Sequence, residues 1–219
     1  MRLLIFMLTI TMFSFWGCEN SDVIAENEQL KKQVSELKTM TSRMRESDDK
    51  FIFLASRLSG IKGRIKTNMG DIEVKFFPEK APLQCFNFIT RAESGFYDNT
   101  QFHRIMKDFM IQGGDPFTKT NNKSSYGQGG PIVNIPHEFN NINHKRGILS
   151  TARQTDVNAG AGSQFFIMHA DKSHLNGQYT AFGEVTKGMD IVDKIANLKV
   201  NKSNYPEKPV RISTIEVFR

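Results

Sequence analysis

The residue types best suited to chemistry lie in the stretch FHRIMKDFMIQGGD, residues 102–115. Side-chain alternation about Lys107 and Asp108 predicts a tight hairpin in which Arg104 stands opposite Gln112. The same alternation places Met110 on the face of Gln112. The stretch therefore predicts one fixed cation and one amide over an apolar floor, a combination that can stabilise charge that develops during a reaction.

The other polar residues suggest structural roles. Ser163 has no base in a triad-like arrangement, which argues against hydrolase chemistry. His103 alternates to the face opposite Arg104 and is assigned to structure. Three further histidines lack close metal-ligand spacing and are predicted to have hydrogen-bonded structural or surface roles: His137, His144 and His169. The sequence therefore predicts no metal site.

Two glycines and an aspartate end the stretch. Gly113 and Gly114 can adopt backbone conformations closed to other residues, so they predict a bulge or sharp turn. Asp115 is predicted to accept hydrogen bonds from nearby backbone N–H groups, because Asp after glycines is a common turn device.

The elements that must position these side chains begin near Gly63. The segment RIKTNMGDIEVKFF predicts a hairpin that turns at residues 68–71. Pro82 predicts a helix that stops at Gly95. Cys85 on this helix is predicted to be a small buried thiol, since no histidine lies nearby in a catalytic pattern.

Short segments divided by Gly, Asn and Pro follow, and they predict strands at GGPIVNI, GILSTA, SQFFIMHA, TAFGEV and RISTIEVFR. One more helix is predicted at MDIVDKIANL. Many short strands with two helices between them predict a mainly β fold, an antiparallel barrel capped by the two helices.

The opening stretch closely resembles the signature of the cyclophilins, the peptidyl-prolyl cis-trans isomerases, and GSQFFI at 162–167 resembles their second signature. The likeness continues through HEFN, HKRGILSTAR, HLNGQYTAFGEV and GMDIVDKI, and covers about residues 63–219. The resemblance implies a cyclophilin-like barrel that rotates X-Pro bonds in proline-containing polypeptides, with no cofactor.

The resemblance also implies roles for single residues. Arg104 matches the catalytic arginine of the family, and Gln112 its supporting amide. The implied substrate-binding positions are Phe109, Met110, Ala152, Arg153, Gln164, Phe166, His174, Leu175 and Tyr179.

Three of these positions depart from common patterns of the family. The family often has Asn where Arg153 stands, and many eukaryotic members have Trp at His174 and His at Tyr179. Because that Trp matters to cyclosporin recognition, we expect weak inhibition of this protein by cyclosporin; nanomolar inhibition would contradict this.

The first residues resemble an export signal. An apolar run from Leu3 to Trp16 is too short for a typical membrane-spanning helix, which needs about 20 residues. Gly17 and Cys18 after it resemble the lipobox of bacterial lipoproteins, in which the Cys is lipidated. The prediction is a signal peptide over 1–17 and a membrane-anchored lipoprotein of the bacterial cell envelope. Phe15 and Trp16 are bulkier than the usual residues there, so a soluble periplasmic or secreted protein stays an alternative.

Residues 18–59 predict the lipidated Cys and a helical spacer, because residues 19–59 contain no Pro or Gly. A heptad series runs through Val23, Asn27, Leu30, Val34, Leu37, Thr41 and Met44. Asn and Thr interrupt it, so a lone helix and a homo-oligomeric coiled coil over residues 23–44 both stay open. The isomerase domain is predicted over 60–219.

The composition suits a globular fold. The chain has 219 residues, of which 39% are hydrophobic and 18 are Phe, with a formal net charge of +6. The basic residues are scattered among acidic ones, which argues against nucleic-acid binding. Two alternatives to an enzyme remain: a proline-segment binding module or chaperone with little turnover, and a structural lipoprotein.

Overall fold

The structure is a computed structural model that describes residues 25, 28–39, 42–43, 46–131 and 133–219. It divides between Lys50 and Phe51 into two compact units. The predicted signal peptide, Cys18 and four heptad positions (Val23, Asn27, Thr41 and Met44) lie outside the described residues. Among the described residues, no helix combines the length and apolar character needed to cross a bilayer.

The first unit contributes a helix over residues 28–39, within the segment that the sequence predicts to be a helical spacer. In the second unit, helix extends to Leu58, which is buried and belongs to the core of the domain. Leu54 packs against the same core. The last helical turns before residue 60 are therefore part of this compact unit.

The domain begins with the predicted hairpin, β1 (Lys62–Thr67) and β2 (Gly70–Phe76). Ile65 pairs with Ile72 across it, and both side chains are fully buried. The turn is tighter than predicted, because the ladder continues to the pair Thr67 and Gly70.

The remaining strands are β3 (Gln101–Phe102), β4 (Arg104–Met106), β5 (Met110–Gly113), β6 (Ile148–Arg153), β7 (Ala161–Met168), β8 (Ala181–Lys187) and β9 (Val210–Phe218). The described residues form one nine-stranded sheet in the order β3-β9-β1-β2-β8-β6-β7-β5-β4, and every pairing is antiparallel. The two end strands are separated in sequence by His103 alone. The sheet therefore curls into a nearly closed barrel.

Helices α1 (Pro82–Glu93) and α2 (Met189–Ala196) lie where the sequence predicts them. Phe88 of α1 packs against the rings of Phe165 and Phe182, with centroid distances of 5.2 Å and 5.4 Å. Cys85 is fully buried and donates its thiol to the carbonyl of Phe182, as expected of a structural cysteine. Burial raises the pKa of this thiol far above its ordinary value, because the thiolate would lose its hydration. The predicted fold class is confirmed.

The residue at the N-cap position of α1 does not cap the helix with its side chain. Ala81 stands at the cap position and offers no side-chain oxygen. The carboxylate of Glu138 instead accepts the backbone N–H groups of Leu83 and Gln84 at 3.0 Å and 2.8 Å. A residue remote in sequence thus satisfies two N–H groups that every helix leaves unpaired.

Among the described residues, one predicted strand is absent, and the predicted strand RISTIEVFR is present as β9 but contains a bulge. The segment GGPIVNI, residues 129–135, is predicted to be a strand, but its described residues form only one isolated bridge, between Ile135 and Ala161. Pro131 has no N–H to donate to a ladder, which is one physical reason. In β9 a bulge skips one residue opposite β1, so Ile212 and Ile215 are both buried despite their odd spacing.

Candidate active site

The hairpin β4–β5 has the predicted register. Arg104 pairs with Gln112, and Met106 pairs with Met110. The bend falls at residues 107–109, with Asp108 in the left-handed region at φ 57°. The predicted juxtaposition of cation and amide is confirmed.

Arg104 is held by a chain of amides. Its Nη1 donates to Oε1 of Gln112 at 3.2 Å, and Nε2 of Gln112 donates to Oε1 of Gln164 at 2.9 Å. Gln164 in turn donates to the backbone carbonyls of Gly127 and Gly129 at 3.0 Å and 2.7 Å. Because each amide donates in the same direction, the chain fixes the guanidinium relative to the loop at 127–129. Among the described residues, the other N–H groups of Arg104 have no protein acceptor and can point to a ligand.

An apolar wall stands beside the guanidinium. Met110, Phe166 and Leu175 are almost fully buried, and Phe109 and Ala152 pack against them. The ring of Phe166 meets that of Tyr179 edge-on at 5.7 Å. These residues and Arg104 line one cavity of about 540 Å³, which is large enough for a proline ring and its neighbours.

Most residues predicted for the site come together in this cavity. Its lining includes nine of them: Arg104, Phe109, Met110, Gln112, Ala152, Arg153, Phe166, Leu175 and Tyr179. Gln164 instead lines a second cavity of about 340 Å³, which shares Gln112, Gly127, Ala152 and Arg153 with the first. His174 is exposed and lines neither; its ring lies 6.3 Å from that of Phe109.

Arg153 is fixed at the edge of the cavity. Its guanidinium lies 4.7 Å from the centroid of the Tyr179 ring, a cation–π distance. Its Nε donates to the carbonyl of Gln178, and its Nη1 to that of Gln154, both at 3.0 Å. Arg153 therefore braces Tyr179 and adds a second positive charge to the groove.

His144 contacts the apolar wall through Phe166. The hydroxyl of Ser150 donates a hydrogen bond to the carbonyl of Thr180 at 2.8 Å, and its oxygen lies within hydrogen-bond distance, 3.0 Å, of Nε2 of His144. The imidazole stacks on Phe166 with a centroid distance of 6.2 Å. Burial lowers the pKa of His144, because the charged ring would lose its hydration. The predicted structural role agrees with these contacts.

His169 holds the tip of the β4–β5 hairpin. Its Nδ1 accepts the backbone N–H of Asp108 at 3.0 Å, and its Nε2 lies 3.3 Å from a carboxylate oxygen of Asp193 on α2. His137 differs, because neither of its ring nitrogens has a hydrogen-bond partner among the described residues. Its ring stacks on Phe139 at 4.9 Å.

The prediction for His103 is partly wrong. His103 is buried, but it lines the same cavity as Arg104 instead of lying on the opposite face. It stands between β3 and β4, outside regular strand, so period-two alternation does not govern its direction. Burial lowers the pKa of its imidazole.

The turn at Gly114 and Asp115 lies where the sequence predicts it. Gly114 has φ 82°, and the carboxylate of Asp115 accepts the N–H groups of Phe117 and Gly127. Ser163 donates its hydroxyl to the carbonyl of Gly114 and so has a structural role. In the described part of the chain, no three His, Cys, Asp or Glu side chains lie close enough to hold a metal ion.

Part of the cavity lining is not predicted by the sequence. Its remaining lining comes from two loops: Lys123, Ser124, Tyr126, Gly127, Asn201, Ser203 and Tyr205. These residues have no periodicity that could place them, because they lie outside regular strands. Their meeting depends on how the barrel closes.

Comparison with known proteins agrees with this architecture. Residues 63–217 match the family described as cyclophilin type peptidyl-prolyl cis-trans isomerase/CLD. A peptidyl-prolyl cis-trans isomerase of Acinetobacter baylyi is 38% identical over 172 residues, which are 74% of this chain and 88% of the relative. The peptidyl-prolyl cis-trans isomerase-like 2 of Rhizopus delemar is 38% identical over 82% of this chain, but the match spans only 33% of that longer relative.

A crystal structure of a Cryptosporidium parvum cyclophilin type peptidyl-prolyl cis-trans isomerase, obtained in the presence of the dipeptide Ala-Pro, is also similar. It shares 34% identity and a TM-score of 0.66, and the match covers 72% of this chain and 99% of that one. A nearly closed antiparallel barrel with a guanidinium beside an apolar wall defines the class of fold and site. The chain belongs to the cyclophilin-type peptidyl-prolyl cis-trans isomerases.

Proposed function

We propose that this protein accelerates rotation about X-Pro bonds in exported or unfolded polypeptides, with Arg104 stabilising the twisted amide. The observation that carries the proposal is the position of Arg104, held by Gln112 at 3.2 Å in one cavity with the apolar wall of Met110 and Phe166. The related Cryptosporidium parvum structure, obtained in the presence of Ala-Pro, supports a proline-containing ligand for this groove.

The reaction makes and breaks no covalent bond. Rotation about an X-Pro amide crosses a barrier of about 18–20 kcal/mol, because it breaks resonance between the nitrogen lone pair and the carbonyl. A guanidinium directed at the prolyl nitrogen favours the twisted state, in which that lone pair is localised. Arg104 would supply this interaction, and Gln112 would limit its rotamers.

The energy of one hydrogen bond from Arg104 would account for only part of a large rate increase, so the apolar wall must contribute as well. A charge-assisted hydrogen bond contributes about 1.5–3 kcal/mol, which corresponds to roughly one to two decades in rate. Met110, Phe166 and Leu175 would hold the proline ring while the preceding carbonyl turns. A dry surface also strengthens the field of the cation.

The direct test is a protease-free isomerisation assay on the purified protein, with an X-Pro peptide followed by NMR exchange. We expect the exchange rate to rise in proportion to protein concentration. Peptide binding with no rate increase would instead indicate a binding module, the alternative predicted from the sequence.

We further propose that Cys18 is the lipidated first residue of the mature protein, which would tether the domain to a membrane of the bacterial cell envelope. The apolar run before Gly17 and Cys18 supports this proposal. Acyl methylenes buried in a bilayer contribute about 0.8 kcal/mol each. Mass analysis of the mature protein should find an acylated N-terminal Cys18, and Cys18→Ser should abolish the modification. A soluble, unacylated mature protein would contradict the proposal.

The helix over residues 28–39 supports self-association as a further proposal. Leu30 and Val34 keep 50% and 48% of their surface exposed, one helical turn apart. A second copy of the helix could cover this strip in a coiled coil. Sedimentation should then give a mass above that of one chain for the full protein, and the mass of one chain for Leu30→Lys/Val34→Lys. The mass of one chain for both proteins would contradict self-association.

A further inference from the structure

The active-site cavity continues past Arg104 into a region that the proline-binding wall does not use. This region, called the Lys123 subsite below, is lined by Lys123, Tyr126, Asn201, Ser203 and Tyr205. We propose that the Lys123 subsite binds the carboxylate of an Asp or Glu side chain close to the proline, and so makes the isomerase prefer acidic substrates. The inference rests on the isomerase function proposed above.

The subsite lies on the far side of Arg104 from the apolar wall. Strand β4 pairs with β5 on one side, where Met110 and Phe166 follow. On its other side the backbone N–H of Ile105 donates to the carbonyl of Asn204 at 2.8 Å. The loop at 201–205 is therefore attached next to Arg104. An extended polypeptide advances about 3.3–3.6 Å per residue, so its contact in the subsite falls within a few residues of the proline.

The floor of the Lys123 subsite is a fixed pair of aromatic rings. Tyr205 is only 7% exposed, and its hydroxyl donates to Oε1 of the buried Gln101 at 2.8 Å. Tyr126 lies 5.5 Å from Tyr205, and its hydroxyl donates to the carbonyl of Thr120 at 2.6 Å. Both rings are thus held by hydrogen bonds before a ligand binds, which lowers the entropy cost of binding.

Lys123 places a positive charge over this floor. Its Nζ lies 4.9 Å from the centroid of the Tyr205 ring, a cation–π distance. Among the described residues, the ammonium has no carboxylate within ion-pair distance, whereas Lys66, Lys187 and Lys199 each pair with one. This ammonium, stacked on Tyr205 and without an ion-pair partner among the described residues, can donate hydrogen bonds to a carboxylate of a ligand.

The other polar groups of the subsite favour an anion as well. Oδ1 of Asn201 accepts the N–H groups of Ser203 and Tyr205, at 2.9 Å and 3.1 Å, so its amide NH₂ remains as a donor. Among the described residues, no Asp or Glu lines the cavity, while Arg104 and Arg153 add positive charge. The nearby carboxylate of Asp115 is buried under the loop and already accepts two backbone N–H groups. Electrostatic complementarity therefore selects acidic substrates.

The experiment compares X-Pro peptides that carry Glu, Gln or Lys at one position, from three residues before to three after the proline. The values of kcat, KM and the dissociation constant are measured for the full protein at low and high salt. At one or two positions we expect the Glu peptide to be favoured about 2–5-fold at low salt, as for a partly exposed ion pair, through KM and not kcat. The preference should shrink at high salt, because salt screens exposed charges.

The variant Lys123→Gln should remove the preference, and Lys123→Glu should reverse it in favour of Lys-containing peptides. The matched control is Lys119→Gln: Lys119 lies in the same part of the chain and 5.8 Å from the Phe96 ring, but does not line the cavity. Its loss should leave the preference unchanged.

Equal values for Glu and Gln peptides, or a preference that survives Lys123→Gln, would overturn the inference. If no peptide is isomerised, the proposed function fails, and the dissociation constants alone then decide whether the subsite binds carboxylates. Isomerisation of all peptides at equal rates would contradict the proposed subsite and leave the proposed isomerase function intact.

Discussion

Replacing Arg104 by alanine is expected to lower kcat/KM for an X-Pro peptide by about 10–100-fold while the protein stays folded. The guanidinium is half-buried and held by Gln112 at 3.2 Å, so the loss removes one charge-assisted interaction with the twisted amide. Such an interaction contributes about 1.5–3 kcal/mol. The peptide should still bind, because the apolar wall of Met110, Phe166 and Leu175 is unchanged.

Two further variants test whether a loss of rate in Arg104→Ala comes from the geometry of the guanidinium, from its charge, or from the change in net charge of the protein. Arg104→Lys keeps the charge but loses the planar fork, so it should recover only part of the rate. Arg211→Ala removes an exposed arginine that does not line the cavity, and it controls for the change in net charge. The assigned role of Arg104 would be wrong if Arg104→Ala and the unaltered protein isomerise the peptide at the same rate. NMR exchange and a binding titration on the same samples provide both readouts.

Replacing Gly114 by alanine is expected to lower the free energy of unfolding by about 2–5 kcal/mol. Gly114 has φ 82°, a conformation that costs an L-residue about 1–2 kcal/mol. A Cβ atom there would also lie 2.5 Å from the carbonyl oxygen of Ser163 and 2.9 Å from the Phe165 ring. Relieving such overpacking costs about another 1–3 kcal/mol.

The matched control is Gly60→Ala. Gly60 has φ 76°, but a Cβ there would meet no atom within 4 Å. It should therefore lose only about 1–2 kcal/mol, from the backbone conformation alone. Denaturant unfolding with linear extrapolation measures both variants. Equal losses at the two glycines would show that the contacts with Ser163 and Phe165 do not contribute.

The β4–β5 hairpin could be predicted from the sequence because its order is local. Side chains alternate along each strand, and the bend at Lys107 and Asp108 sets the pairing, so the juxtaposition of Arg104 and Gln112 follows from short-range geometry. The same holds for helix α1, which Pro82 begins, and for the buried thiol of Cys85. The resemblance to a known family then extended these local patterns to the groove.

Other features depend on contacts between distant segments. Glu138 caps helix α1 from far along the chain, and His103 lines the cavity because it joins the two edges of the barrel. The segment GGPIVNI has a strand-like composition, yet its described residues make one bridge only. Period-two reasoning fails at such places, because loops and junctions have no repeating geometry.

The sequence by itself therefore determined most of the strands and helices of a mainly β fold, the hairpin register and the cation beside an apolar floor, since neighbouring residues decide these features. The tertiary structure alone decided that Lys123, Tyr126 and Tyr205 would meet on the far side of Arg104. The loops that carry them come together only when the sheet closes, and closure depends on packing across the whole barrel.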